Sequence, residues 1–267
     1  MLLLMSNQDH DRSVIFLHGW CGHPEEVSHI REAFPGPVLS PGWMPSPGSL
    51  DLEKWDPDRA AALMRSFADS ILDQVARTIV DAGFAGGTLV GHSMGGVMAC
   101  MLARRPDIDA RQVILIDASV PLSEERRDGY IEKMGGWITK AASQQRMLTQ
   151  VGWIAECPEW VPDFFSPLNE GVYREFLERR FLFNPVPEAA ATIGGAVQWP
   201  VNEALDALEC PFQAIAGDPP RMSVEAMKKA CPRAEIATCP DGGHYPHIFK
   251  ANDVKNHLRE WLEKPVS

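Results

Sequence analysis

The apolar positions of this chain follow two rhythms. Short unbroken apolar runs alternate with longer stretches in which apolar residues return every three or four positions. Strands and helices laid down in turn give that pattern, and they build a mostly parallel sheet. Val14-Ile15-Phe16-Leu17 reads as a buried strand ending at His18-Gly19. Val38-Leu39 reads as a second strand, ending in the turn-rich Ser40-Pro41-Gly42. Asp56-Pro57 opens a helix, with the Asp as cap and the Pro at the first position. Its apolar positions Ala60, Leu63, Met64, Phe67, Ile71, Val75 and Ile79 keep helical spacing, and Gly83 ends it. Thr88-Leu89-Val90 predicts a strand and Val97 to Ala103 a helix. Val113-Ile114-Leu115-Ile116 is the most strand-like run, and it ends at Asp117.

After Pro121 the pattern changes. Up to about Pro200 the stretches are helical and broken by prolines, and they carry Trp137, Trp153, Trp160 and Trp199. Sheet character returns at Phe212-Gln213-Ala214-Ile215-Ala216 and at Ala234-Glu235-Ile236-Ala237. An amphipathic helix from about Asn252 to Leu262 closes the chain. The expected organisation is a sheet core from 1–120 and 201–267, with 121–200 as a helical cap inserted between the two halves. Only about a dozen residues precede the first strand, so an N-terminal hairpin would have to be very short.

Composition narrows the function classes. The chain has 267 residues, 45% hydrophobic and 23% charged, enough to bury a full core. Its formal net charge of −11 repels phosphate backbones and anionic membranes, so neither nucleic acid nor a membrane is an expected partner. The apolar start Met1-Leu2-Leu3-Leu4-Met5 is too short for a membrane span and lacks the basic flank of a signal peptide. Six cysteines, none in a C-x-x-C pair, suggest reduced thiols and a cytoplasmic setting. Cys21 and His23 have no companions at metal-ligand spacing, so no metal and no cofactor is expected. The pattern selects no oligomeric state.

The candidate chemistry lies in Gly91-His92-Ser93-Met94-Gly95. A Gly-x-Ser-x-Gly run between a strand and a helix is a nucleophile elbow, which exposes a serine on a tight turn. Thr88-Leu89-Val90 before it and Gly96-Val97-Met98-Ala99 after it supply those flanks. A serine hydroxyl needs a base. His244, in Asp241-Gly242-Gly243-His244 after the last strand, is the candidate. His247 lacks the preceding glycine pair and is read as a surface loop histidine. The backbone N–H of Met94 and that of Trp20, in His18-Gly19-Trp20, are the candidate oxyanion donors.

His18-Gly19-Trp20, Gly91-His92-Ser93-Met94-Gly95-Gly96 and Gly243-His244, in that order, resemble the α/β-hydrolase superfamily over nearly the whole chain. The resemblance implies an α/β-hydrolase fold with a helical cap and a Ser-His-acid site, most often an esterase working through an acyl-enzyme. The family commonly places the acid after the penultimate strand as Gly-x-x-Asp, but this chain reads Gly217-Asp218-Pro219-Pro220. A subset of the family takes the acid from the end of the strand after the nucleophile, where Asp117 stands. Asp117 and Asp218 are therefore alternative candidates. A second departure is Ser40-Pro41-Gly42-Trp43-Met44-Pro45-Ser46, where relatives often show Pro-Gly-His-Gly-x-Ser. Trp43 and Met44 are expected to reshape the pocket there.

Trp137, Trp153, Trp160, Phe164, Phe165 and Trp199 in the insertion could line an apolar pocket or pack the cap on the sheet. The expected substrate is a small or medium apolar carboxylic ester. The alternatives are a cofactor-free ring-cleaving dioxygenase, a carbon–carbon bond hydrolase, or a non-catalytic ligand receptor on the same fold. A haloalkane dehalogenase is disfavoured, because its nucleophile would be an Asp where this chain has Ser93.

Overall fold

The computed structural model describes residues 12–144, 186–218 and 220–264. Six parallel strands form one sheet: β1 (Val14–Leu17), β2 (Val38–Leu39), β3 (Thr88–His92), β4 (Gln112–Ile116), β5 (Phe212–Ala216) and β6 (Glu235–Thr238). Their spatial order is β2-β1-β3-β4-β5-β6. The four inner strands are buried along their whole length, while β2 and β6 at the edges are partly exposed. This is why the inner strands read as continuous apolar runs.

The pleat sends alternate residues to opposite faces. Ile15, Leu17, Leu89, Val113 and Leu115 join one core, beneath the helices α1 (Ala60–Asp81) and α2 (Met94–Leu102). Val14, Phe16, Val90, Ile114 and Ile116 join a second core on the other face. The remaining helices in chain order are α3 (Glu124–Gln144), α4 (Val186–Ala196), α5 (Val201–Asp206), α6 (Val224–Ala230), α7 (Pro246–Phe249) and α8 (Ala251–Leu262). Helix α8 closes the second core with Val254, Leu258 and Trp261. Full burial of Val254 and Leu258 contributes about 1.5–3 kcal/mol each.

The expected strands at Val14–Leu17, Val38–Leu39 and Phe212–Ala216 are found with the same ends, and other elements have shifted ends. Asp56 does cap a turn, its carboxylate accepting from the Asp58 N–H, but Pro57–Arg59 is a 3-10 turn and the α-helix starts at Ala60. Strand β3 runs on to His92 because β4 offers Leu115 and Ile116 as partners to Gly91 and His92. Helix α2 starts three residues earlier than its apolar pattern predicts, at Met94. Glycine's helix penalty of about 1 kcal/mol masks the start in the sequence, yet Gly95 and Gly96 are helical here.

The described part of the insertion is seated on α1. Met64 of α1, Met134 and Ile138 of α3, and Ala190 and Ala191 of α4 form a third apolar cluster. Trp199, buried in the main core, donates its indole N–H to Asp69 of α1 at 2.8 Å. Trp153, Trp160, Phe164, Phe165 and Cys157 lie outside the described residues, as do residues 1–11 and Pro219. No helix among the described residues is long and apolar enough to cross a membrane.

Candidate active site

In an open parallel sheet, the crevice forms where the strand order reverses, beyond the carboxyl ends of the strands. Here the chain goes from β1 outward to β2, then back to β3 on the other side of β1. The reversal therefore sets the loop after β1 beside the loop after β3. The first carries Trp20 and the second carries Ser93.

Ser93 has φ 52° and ψ −120°, a conformation that L-residues rarely adopt. Such backbone strain persists only where the surroundings fix it. The Ser93 N–H donates to the Ile116 carbonyl of β4 at 3.0 Å, and α2 starts at the next residue. The turn is tight enough to exclude side chains on either side. A Cβ at Gly91 would collide with the Gly95 backbone, and one at Gly95 with the Leu17 carbonyl. The two glycines thus bring α2 down onto β1. Gly95→Ala should therefore cost several kcal/mol. A midpoint from urea unfolding matching the unmodified protein would contradict this.

His244 is buried and bridges two side chains. Its Nε2 lies 2.9 Å from Ser93 Oγ and its Nδ1 lies 2.7 Å from Asp117 Oδ2. A carboxylate only accepts, so Nδ1 carries the proton and Nε2 is left to accept from the serine hydroxyl. Asp117, fully buried, takes the left-handed φ of 42° at the end of β4. Its Oδ1 accepts from the Gly217 N–H at 3.1 Å and the Arg221 N–H at 3.0 Å. Three donors hold this carboxylate in one orientation.

Asp218 is placed differently. Its side chain is exposed, and its backbone carbonyl accepts from the Gly243 N–H at 3.1 Å. The two acid candidates thus take separate parts: Asp117 meets His244 through its side chain, and Asp218 ties down the preceding glycine through its backbone.

Met94 opens α2, so its N–H belongs to the first turn and has no carbonyl within the helix to bond. Trp20 is tied down by its ring, whose N–H donates to the Ala189 carbonyl of α4 at 2.8 Å. Trp20→Phe should remove the side-chain hydrogen bond to this helix carbonyl, at a cost of about 0.5–1.5 kcal/mol. A thermal midpoint unchanged from the parent would contradict this.

A pocket opens over Ser93 and His244. Trp20, Met94, Val97, Leu122, Ile193 and Val197 give it apolar walls, while Ser119, Tyr130 and Arg221 supply polar groups. Neither Trp137 nor Trp199 reaches it. Trp199 is in the core, and Trp137 packs against that core with the Lys133 ammonium 5.5 Å from its ring centre. Trp43 is buried and stacks on His18 with centroids 4.8 Å apart, so it packs against the start of the loop after β1.

His247 overturns the expectation of a surface histidine. It is fully buried. Pro246 starts the short helix α7, which turns the imidazole inward to within 5.9 Å of the Phe16 ring, and its Nε2 meets Glu26 Oε2 at 3.0 Å. Glu26 and His92 are also fully buried. Together with His247 they are the one group among the described residues that could hold a metal ion, their ligand atoms lying within 4.8 Å of one another. The pattern around His247 gave no sign of this, because Glu26 lies 221 residues away.

The five described cysteines, Cys21, Cys100, Cys210, Cys231 and Cys239, are free thiols. Burial pushes the Cys21 thiol well above its ordinary pKa, so it stays protonated beside the site.

A parallel sheet that carries a strained serine elbow after β3 and a histidine after its last strand defines the α/β-hydrolase class. Residues 14–251 match the sequence profile of the Alpha/beta hydrolase family, and the chain belongs to that family. Among curated proteins, none matches closely enough to define a relative. Solved structures share the fold. A bromoperoxidase from Bacillus anthracis superposes with a TM-score of 0.70 at 17% identity, covering 95% of this chain and 92% of that one. A thermophilic esterase from Thermogutta terrifontis gives 0.65 at 22% identity, covering 94% and 89%. MenH from S. aureus gives 0.64 at 20% identity, covering 95% and 94%.

Proposed function

We propose that this protein is a serine hydrolase that cleaves carboxylic esters of small to medium apolar acids through an acyl-enzyme. The observation that carries the reading is the unbroken line of contacts from Asp117 through His244 to Ser93. In this reading His244 takes the hydroxyl proton as Ser93 Oγ attacks the ester carbonyl. The N–H groups of Met94 and Trp20 hold the negative charge that develops on the carbonyl oxygen. His244 then returns the proton to the departing alkoxide. Water, activated by the same imidazole, releases the acid. Asp117 keeps His244 in the tautomer that accepts from Ser93 and stabilises the imidazolium as it forms. No metal or cofactor takes part in these steps. The apolar walls around Val97, Ile193 and Val197 favour an alkyl or aryl acyl group.

The test combines a fluorophosphonate probe with a panel of short-chain nitrophenyl esters. The expected result is a single label on Ser93 together with turnover of the esters. Absence of labelling in folded protein would overturn the serine mechanism and favour a receptor. Labelling without turnover of any ester would overturn the ester specificity and favour ring-cleaving or carbon–carbon chemistry.

A further inference from the structure

Behind the site lies a second set of buried ionisable groups that the proposed mechanism does not use. Glu26, His92 and His247 have no measurable exposure. Glu26 sits in the turn that follows the loop after β1. Its Oε1 accepts from the His23 N–H at 2.8 Å, while the His23 ring accepts from the Glu25 N–H at 3.2 Å. The other oxygen, Oε2, lies 3.0 Å from His247 Nε2 and 3.9 Å from His92 Nδ1. His92 is the residue before the nucleophile, and its Nε2 donates to the backbone carbonyl of His244 at 2.7 Å. The His92 ring also lies 4.3 Å from that of His247 and 4.9 Å from that of His244.

These contacts join the three segments that must be in register for the chemistry. The turn holding Glu26 follows the loop that bears Trp20. His92 precedes Ser93. His247 follows His244 by three residues. A buried carboxylate is tolerated only where it is paired and hydrogen-bonded. Glu26 can therefore rest only where His247 and the His23 N–H meet it, which fixes the spacing of the segments that carry them. The 3.0 Å separation of Glu26 and His247 is a hydrogen-bond length, and one nitrogen of His92 is committed to the His244 carbonyl.

We infer that Glu26, His247 and His92 form a positioning network that aligns His244 on Ser93 and holds the loop after β1 against them. The inference rests on the serine mechanism proposed above. Its residues touch no substrate atom; they set the distance over which the proton moves. Misplacing reacting groups by about 1 Å can cost on the order of 100-fold in rate.

The variants Glu26→Gln, His247→Gln and the double Glu26→Gln/His247→Gln test it. Four readouts are taken: kcat, KM, the rate of fluorophosphonate labelling, and the low-field proton resonance of His244 Nδ1–H. Each single variant should lower kcat and the labelling rate on the order of 10-fold to 100-fold, with KM within about threefold. The His244 resonance should move. The double variant can restore a neutral amide-to-amide hydrogen bond, so it should be no worse than the weaker single variant. Folded single variants that label and turn over at the parent rate would overturn the network. So would losses that simply multiply in the double variant. One equivalent of a tightly held divalent metal in the purified protein, with activity lost on chelation, would overturn it in favour of a metal site. Should Glu26→Gln fail to fold, His247→Gln carries the same comparison. Failure of the parent protein itself to label would instead strike at the serine mechanism.

Discussion

Ser93→Ala is expected to lower ester turnover by roughly 10⁴-fold to 10⁶-fold while leaving the fold intact. Without Oγ there is no proton for His244 Nε2 to take and no atom to form the acyl bond. What survives is the activity of oriented donors acting on bound ester and water, which in serine hydrolases amounts to about 10³-fold to 10⁴-fold over the uncatalysed reaction. The side chain is small and sits on a turn fixed by its own backbone bond to Ile116, so the elbow should persist with alanine. The measurement is kcat on a nitrophenyl ester, with circular dichroism to verify folding and the fluorophosphonate to verify loss of the labelled site. Turnover within tenfold of the parent would overturn the assignment of Ser93 as nucleophile.

The second large effect concerns the acid. Asp117→Asn is expected to reduce kcat by about 10³-fold to 10⁴-fold, because an amide facing Nδ1 no longer enforces the proton position that leaves Nε2 free to accept. Asp218→Asn is expected to stay within about threefold. Its side chain is exposed, and the substitution keeps the backbone carbonyl that receives Gly243. Both variants should be assayed with the same ester and in the same buffer. The opposite ranking would move the acid role to Asp218.

These two predictions differ in how much of them can be read from the sequence. Ser93 is legible because an elbow is local. Five consecutive residues, with a strand before and a helix after, are enough to place a serine on a strained turn. His244 is legible by position, since it follows the last strand and a glycine pair. The proposed acid is set by distant parts of the chain. Asp117 and Asp218 end neighbouring strands, and each is a turn-forming residue at the right height. What separates them is the left-handed φ of Asp117, together with the Gly217 and Arg221 N–H groups that wait for its carboxylate. No local pattern encodes that meeting.

The fold shows the same division. The inner strands declare themselves because both of their faces are buried. Their ends do not, because β3 is lengthened by a partner 24 positions downstream, as in the pairing of His92 with Ile116. The burial of His247 depends on a glutamate at the other end of the chain, and a polar residue in a short loop gives no hint of such a partner. The insertion's tryptophans illustrate the remaining ambiguity. An aromatic side chain satisfies a core and a pocket equally well on paper, and the hydrogen bond from Trp199 to Asp69 is what assigns it to the core.

The indole of Trp20 gives the molecule a mechanical property. One residue offers its backbone to the reacting carbonyl, in the proposed mechanism, and its ring to helix α4, the neighbour that walls the pocket at Ile193. Fit and speed are therefore geared together. A substitution that shifts α4 to admit a longer acyl chain pulls on the same ring that steadies the oxyanion donor. Selection for a new substrate in this scaffold would have to retune both at once, or first cut the link at Trp20.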